Sequence, residues 1–184
     1  MKTVNVQDLM VPLEEYATVS REANLYQAVI ALENAQMAFD PSKHKHRAIL
    51  VLDEKNNVVG KLDLFVILMA LEPKYGELEA AGVLSSSGYS PDLIRSMLKD
   101  NVLWSEPLQF ICSRASQINV SDFMEAPADG AYIEEAATLD EAMNQLLVGR
   151  YQSLLVTREA RVVGILRLSD VFTKICEKIK TCGH

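Results

Sequence analysis

The chain has 184 residues, 49% hydrophobic and 23% charged, so it is long enough to bury a core as a globular protein. Its formal net charge of -7 argues against an extended basic face for phosphate backbones, so nucleic acid is not an expected partner. The longest apolar run, Leu62 to Leu71, is interrupted by Asp63 and is shorter than the about 20 residues of a membrane span. No signal-peptide pattern opens the sequence, and three cysteines, an odd number, favour reduced thiols. We therefore predict a cytoplasmic protein without a membrane partner.

The sequence contains one unit twice. Residues 4–35 align without a gap with residues 118–149, which brings Met10 onto Met124. The apolar positions of a helix, spaced i, i+3 and i+7, are shared between the two copies as well. An internal repeat of this kind predicts two similar structural units.

In the first copy, the patterns predict a strand, a helix, a hairpin and a second helix. In chain order these are a strand at Ala17 to Val19, a helix from Asn24 to Ala35, strands at residues 48–52 and 58–62 across a polar turn, and a helix from Asp63 to Leu71. Asn24 and Asp63 are predicted helix caps, because their side-chain oxygens can accept hydrogen bonds from the first turn. Only the first copy has an insertion, residues 36–47, whose composition predicts a loop.

The rest of the chain is predicted as a helical connector followed by the second copy. The connector has helices from Ser90 to Leu98 and from Ser105 to Cys112; the second copy has a helix from Thr138 to Gly149, strands at residues 153–157 and 161–166, and a helix from Leu168 to about Lys178. We place the domain boundaries at residues 1–73 for repeat 1, 74–117 for the connector and 118–184 for repeat 2.

The ordered unit resembles the cystathionine-β-synthase (CBS) domain. The resemblance rests on a Val-x-Asp-x-Met-like start, a short strand, an amphipathic helix, a hairpin in which Val-Val precedes Gly60 or Gly164, and a closing helix. It implies an α/β fold of tandem CBS repeats, each a small mixed sheet with two packed helices. In this family, two copies pack together and leave two clefts for adenine nucleotides or S-adenosylmethionine. Such modules pair into flat dimers, so the resemblance implies a homodimer.

The family's ligand signature, Gly-h-h-[Thr/Ser]-x-x-Asp, is partly kept. The second copy has Asp170 at the ribose position, preceded by Ser169, and Arg167 in place of the hydroxyl residue; an arginine there can pair with phosphate. The first copy has Val66 at the ribose position and Asp63 where the phosphate would lie, so we expect its cleft to be degenerate. The resemblance implies further contacts to the Asp170 site from residues 126–133, here Ala126 to Ile133, and from Tyr151, Gln152 and Ser153.

Several features have a second interpretation. Asp170 can also act as an acid that stabilises a helix N-terminus, and Arg167 as a solvated strand-end side chain. The basic run at residues 43–47 can attract polyphosphate or a metal, although we favour a solvated loop. Cys176, Cys182 and His184 carry metal-binding atoms, but we favour a frayed C-terminal tail. The helix from Asp63 to Leu71 is apolar nearly all round, and we expect its outer face to be buried in the dimer.

The sequence therefore predicts a regulatory sensor rather than an enzyme. It has no Gly-rich phosphate loop, no GxSxG motif and no HExxH motif, and it has only three histidines. No cofactor is required, and AMP, ADP, ATP or S-adenosylmethionine is the expected regulatory ligand. The alternative from the sequence is a ligand-free structural dimer that acts as a protein-interaction scaffold.

Overall fold

The computed structural model describes residues 4–72 and 108–182, which form two small α/β units. The strands are β1 Val11–Pro12, β2 Thr18–Ser20, β3 Ala48–Leu52, β4 Val58–Asp63, β5 Tyr132–Glu134, β6 Ser153–Arg158 and β7 Arg161–Arg167. The helices are α1 Leu25–Ala38, α2 Leu64–Leu71, α3 Ile111–Gln117, α4 Leu139–Val148 and α5 Leu168–Cys182. The predicted α/β architecture is confirmed.

The two sheets repeat the same topology. One has the order β2-β3-β4 and the other the order β1-β7-β6-β5. In each unit a short parallel strand pairs with the first strand of an antiparallel hairpin. The second sheet gains its additional edge strand, β1, from the start of the chain. Val11 in β1 lies opposite Ile165 in β7.

The predicted helix caps form. The Asn24 side chain accepts a hydrogen bond from the Gln27 amide at 2.9 Å, and the Asp63 side chain accepts one from the Val66 amide at 2.9 Å. In the second unit Thr138 occupies the position equivalent to Asn24, and its side chain accepts from the Glu141 amide. These contacts satisfy amide groups that a helix cannot satisfy itself and thereby fix where each helix begins.

Three predicted helix ends differ from the structure. Helix α1 continues to Ala38 instead of ending at Ala35, so the first three residues of the predicted insertion loop are helical. Helix α3 continues to Gln117 instead of ending at Cys112, because no proline or glycine interrupts it and Ala115 packs into the first core. Helix α5 continues to Cys182, so the prediction of a frayed tail is wrong for Cys176 and Cys182. The first helix breaker after the start of α5 is Gly183. The predicted connector helix from Ser90 to Leu98 lies outside the described residues. Within the described part of the chain, no three metal-binding side chains come together.

Each repeat contributes its first segment to the other repeat. The Val6 amide donates to the Ala137 carbonyl at 2.9 Å, and the Val120 amide donates to the Ala23 carbonyl at the same distance. Val6 is buried in the core of the second unit, and Val120 in the core of the first. The repeats of the sequence are therefore not the packing units of the structure.

Two glycines mark where these exchanged segments cross the sheets. A Cβ atom on Gly164 would lie 2.6 Å from the Val11 carbonyl oxygen, and one on Gly60 would lie 2.6 Å from the Met124 sulfur. Real Cβ atoms do not approach other heavy atoms so closely. The Val-Val-Gly of each hairpin is thus explained by the passage of the other repeat's first segment.

A third core joins the two sheets. It contains Leu50 of the first hairpin and Leu155 of the second. The other buried members of this core are Val11, Tyr16, Phe39 and Ile165. Leu50 and Leu155 occupy equivalent strand positions, since β3 and β6 have the same register against their hairpin partners. The two units are thus approximately symmetric in topology and in the strand positions that they contribute to this core.

Candidate functional site

The feature that dominates the site is a two-point ion pair between Arg167, the last residue of β7, and Asp170 in the first turn of α5. The Nε–Oδ2 distance is 2.5 Å, and Nη2 donates to Oδ1 at 2.7 Å. Arg167 is only 6% exposed, and the Asp170 side chain is 15% exposed. A guanidinium and a carboxylate in this paired arrangement form one of the stronger charge-assisted contacts.

Arg167 has further partners in the first repeat. Its Nη1 donates to the carbonyl oxygen of His44 at 2.7 Å and lies 3.4 Å from Nδ1 of His46. The guanidinium carbon lies 5.5 Å from the centre of the Phe39 ring, within the range of a cation–π contact. Arg167 therefore links the second repeat to the insertion loop of the first, which we define as residues 39–47.

An aromatic cluster encloses the far side of Arg167. The His46 ring lies 4.3 Å, centre to centre, from both Tyr16 and Phe39, and His46 is 1% exposed. Burial raises the pKa of Tyr16 to about 12, although nearby Arg167 acts in the opposite direction. Tyr16 is thus a neutral hydroxyl at physiological pH, and its ring serves as packing.

His46 is held neutral by its surroundings. Burial and then the positive charge of Arg167 lower the pKa of His46 below 6.5, while the Glu15 backbone and the carboxylates of Asp170 and Glu15 act in the opposite direction. Its Nε2 makes no hydrogen bond of normal geometry with any described residue. The buried imidazole of His46 cannot readily become positively charged, because it lies beside the fixed positive charge of Arg167.

We expect stability to depend on pH through His46. Because the folded pKa is depressed, the unfolded chain takes up a proton near pH 6.5 that the folded chain refuses, so stability present above that pH is lost as the pH falls towards the folded pKa. A His46→Phe variant should lose this part of the pH dependence. Urea unfolding between about pH 7.5 and about pH 5.5, the range in which histidine titrates, measures it. Parallel pH profiles for wild type and variant would contradict the assignment.

The surface above the ion pair is a small cleft, which we call the Asp170 cleft. Its volume is about 340 Å³. Its lining comes from the start of the chain, the insertion loop and α5: Asp8, Leu9, Met10, Val11, Ser42, Lys43, His44, Arg167, Asp170, Thr173, Lys174 and Glu177. The lining has three cations, Lys43, Arg167 and Lys174, and three carboxylates, Asp8, Asp170 and Glu177. Lys174 donates to Glu177 at 2.9 Å, and the start of α5 itself favours negative charge.

The equivalent position in the first repeat is a larger and more apolar groove, which we call the Phe65 groove. Its volume is about 630 Å³, and it is lined by Phe65, Val66, Met69, Ala70, Arg114, Gln117, Ile118, Asp122, Phe123 and Glu125. Val66 stands where the second repeat has Asp170, and the Asp63 carboxylate is occupied with capping α2. The groove therefore has no counterpart of Asp170 or of Arg167, although Arg114, Asp122 and Glu125 line it.

The comparisons with known proteins agree with this geometry. Residues 120–177 match the family model of the CBS domain. The fold matches the crystal structure of CBSX2 in complex with AMP (18% identity, TM-score 0.58), covering 95% of this chain and 97% of that one. The second repeat is a CBS domain, in a chain with the fold of a CBS-domain pair.

Other CBS-domain pairs match over similar lengths. A CBS-domain-containing protein of Bacillus anthracis matches with 18% identity and a TM-score of 0.60, covering 96% of both chains. The CBS domain of a bacterial CNNM/CorC family Mg²⁺ transporter, in complex with ATP, matches with 14% identity and a TM-score of 0.56, covering 95% of this chain and 89% of that chain. Among curated proteins, none matches this CBS-domain pair by sequence.

The structure distributes the predicted site residues of the CBS-domain pair over different places. Arg167 and Asp170 lie together in the Asp170 cleft, whereas Ala126, Tyr151 and Ser153 line a separate cavity of about 170 Å³. That cavity also contains Lys61 of the first repeat. These predicted residues therefore line two separate cavities.

The other predicted residues have structural positions. Ile133 is buried in the second core, and Gln152 is exposed, with its carbonyl oxygen accepting from the Leu168 amide at 2.9 Å. Ser169 is half-buried, and its carbonyl oxygen accepts from the Thr173 hydroxyl at 3.0 Å. These contacts give Ile133, Gln152 and Ser169 clear roles in packing and in the helix start.

Sequence reasoning missed the residues that enclose Arg167. Tyr16, Phe39 and His46 come from the first repeat, and the segment Asp8 to Val11 reaches the cleft by the exchange described above. One signal was present: aligning the β3 and β6 hairpins gives His46 the position of Tyr151, which was itself predicted as a site residue.

None of the described helices is long and apolar enough to cross a membrane.

Proposed function

We propose that this CBS-domain pair is a regulatory module that binds an adenine nucleotide in the Asp170 cleft. The observation that carries the proposal is the buried Arg167–Asp170 pair at the N-terminal end of α5, in a cleft with two further lysines. A carboxylate can accept two ribose hydroxyls, and a guanidinium can pair with phosphate. Neighbours of the same fold in complex with AMP and with ATP support this ligand class.

Binding would be an exchange of partners. Both Asp170 oxygens are used by Arg167, so ribose hydroxyls reach Asp170 only if the guanidinium turns away. Arg167 is buried, and a buried charge without a partner is costly. A phosphate supplies the new partner for Arg167, whereas a nucleoside supplies none. The cleft should therefore prefer nucleotides to adenosine.

The regulatory step would be a population shift. A ligand that contacts α5 and the start of the chain contacts both packing units, so it favours one relative arrangement of the repeats. We expect the module to be cytoplasmic, as the sequence indicated. We also expect it to be a homodimer, because Phe65 and Leu68 of α2 and Phe172 of α5 expose large apolar side chains. We assign it no catalytic group, and the regulated partner would be a separate protein.

The test is a thermal-shift titration with adenosine, AMP, ADP, ATP, NADH and S-adenosylmethionine. Each protein is compared with its own ligand-free melting temperature, because ligands stabilise only the state that binds them, by about 2.7 kcal/mol at a hundredfold excess over Kd. We expect the nucleotides to raise the melting temperature of the wild type and to have little effect on Asp170→Asn. Asp63→Asn, the same substitution at the cap of α2, serves as the matched control and should respond like the wild type.

A second function, a ligand-free structural dimer that acts as an interaction scaffold, is favoured by one observation. Arg167 and Asp170 already satisfy each other, and the insertion loop lies over them. In that case the cleft is a structural joint between the repeats. Absence of any shift with all six compounds would support the scaffold and contradict the nucleotide sensor.

A further inference from the structure

The insertion loop covers the Asp170 cleft and has no counterpart in the second repeat. Helix α1 is followed by the loop at residues 39–47, whereas α4 is joined to β6 by residues 149–152 alone. The cleft beneath the loop has a volume of about 340 Å³, while the equivalent Phe65 groove has about 630 Å³. The additional residues of the first repeat therefore lie where the approximate symmetry leaves an open groove.

The tip of the loop is held by two contacts, both made by His44. Its carbonyl oxygen accepts from Arg167 Nη1 at 2.7 Å, and its Nε2 lies 2.8 Å from the Thr173 hydroxyl oxygen. The Thr173 hydroxyl also lies 3.0 Å from the Ser169 carbonyl oxygen, so it bonds both to the loop and within α5. Both contacts join the loop to α5 or to the residue just before it.

The ends of the loop are anchored in a different way. Phe39 and His46 are buried, and the His46 carbonyl accepts from the Gln36 side chain at 2.7 Å. Residues 40–45 between these anchors are exposed. A segment with fixed ends, an exposed tip and few holding contacts can open locally without unfolding the protein.

Loop closure and nucleotide binding depend on the same guanidinium. Arg167 donates to Asp170 through Nε and Nη2 and to the His44 carbonyl through Nη1, so a planar guanidinium that turns away from Asp170 towards a phosphate also leaves the loop. A closed loop then lowers the affinity for phosphate, and bound phosphate lowers the population of the closed loop to the same extent. The fraction of molecules with an open loop scales the apparent affinity for a ligand.

We propose that the insertion loop is a latch that keeps the Asp170 cleft closed and must leave Arg167 before a phosphate can bind; the inference rests on the proposed function for its ligand. The latch gives the first repeat a regulatory role although its own cleft lacks the ligand-binding carboxylate. Any partner that captures residues 40–45 would raise the affinity of the cleft.

The first experiment uses trypsin without any ligand, because Lys43 and Lys45 lie in the exposed tip. A Thr173→Val variant removes the hydroxyl group that forms the hydrogen bond with His44. Cleavage after these lysines should then become about 2- to 10-fold faster, as expected for one lost hydrogen bond. Thr181→Val is the matched control, since Thr181 lies on the same helix and, among the described residues, its hydroxyl bonds to the Lys178 carbonyl and not to the loop. Cleavage of Thr173→Val at the wild-type rate would overturn the latch.

The second experiment adds ATP to the wild type. If the loop must leave Arg167, saturating ATP should speed cleavage after Lys43 and Lys45, because the ligand holds the loop open. Protection of both sites by ATP would overturn the latch, since the loop would then close over the ligand. If ATP neither shifts the melting temperature nor alters cleavage, the proposed function fails for ATP, and the Thr173→Val result alone decides whether the loop is latched.

Discussion

An Asp170→Ala variant should lose about 3–5 kcal/mol of unfolding free energy, the usual cost of removing one partner from a buried ion pair. The change leaves the guanidinium of Arg167, with only 7% of its side chain exposed, without a carboxylate. The His44 carbonyl remains, but it supplies no negative charge. Urea unfolding of wild type and variant at the same pH measures the difference.

A surface ion pair provides the control. Glu135→Ala removes the partner of Arg158, whose side chain is 59% exposed, and should cost less than about 1 kcal/mol. The double variant Arg167→Met with Asp170→Leu should recover much of the loss, because it leaves no buried charge unpaired. Equal costs for Asp170→Ala and Glu135→Ala would show that the Arg167 pair is not buried as described.

Alanine at Gly164 should also be strongly destabilising, by about 1–3 kcal/mol, as expected for overpacking. The new Cβ would meet the Val11 carbonyl oxygen at 2.6 Å, and a backbone atom cannot turn aside as a side chain can. The added strain falls on the contact between β1 and β7 that holds the first segment of the chain in place. Thermal and urea unfolding give the magnitude.

Gly60→Ala is the matched variant in the other repeat. Its Cβ would meet the side chain of Met124, whose thioether can adopt another rotamer. We therefore expect a smaller cost than at Gly164. A larger cost at Gly60 than at Gly164 would contradict the difference between a backbone and a side-chain obstacle.

The sequence was a good guide to the local elements because they depend on local signals. The gapless alignment of residues 4–35 with 118–149 predicted two similar units, and Asn24 and Asp63 cap helices as their positions suggested. The end of α5 was predicted near Lys178, four residues too early, although no helix breaker follows Leu168 before Gly183. Helix ends depend on such weak differences.

The site was harder to predict because its residues meet through long-range packing. Arg167 and Asp170 were both predicted as site residues, but as separate ligand contacts; their ion pair was not predicted, and Arg167 is buried rather than solvated. Their partners Phe39 and His46 come from an insertion whose composition indicated only a loop. A short polar loop does not reveal in its own sequence which distant cleft it will cover.

The exchange of first segments bears on how the protein folds as it is synthesised. When repeat 1 leaves the ribosome, its core still lacks Val120 and the packing of Met124, which lie beyond the connector. Val6 meanwhile has no partner until Ala137 and the second core are made. The nascent chain thus carries unfilled apolar surface across most of its synthesis, and contacts of such long range close slowly. We therefore expect the two halves to fold together late in synthesis, and a truncated first repeat to expose apolar surface.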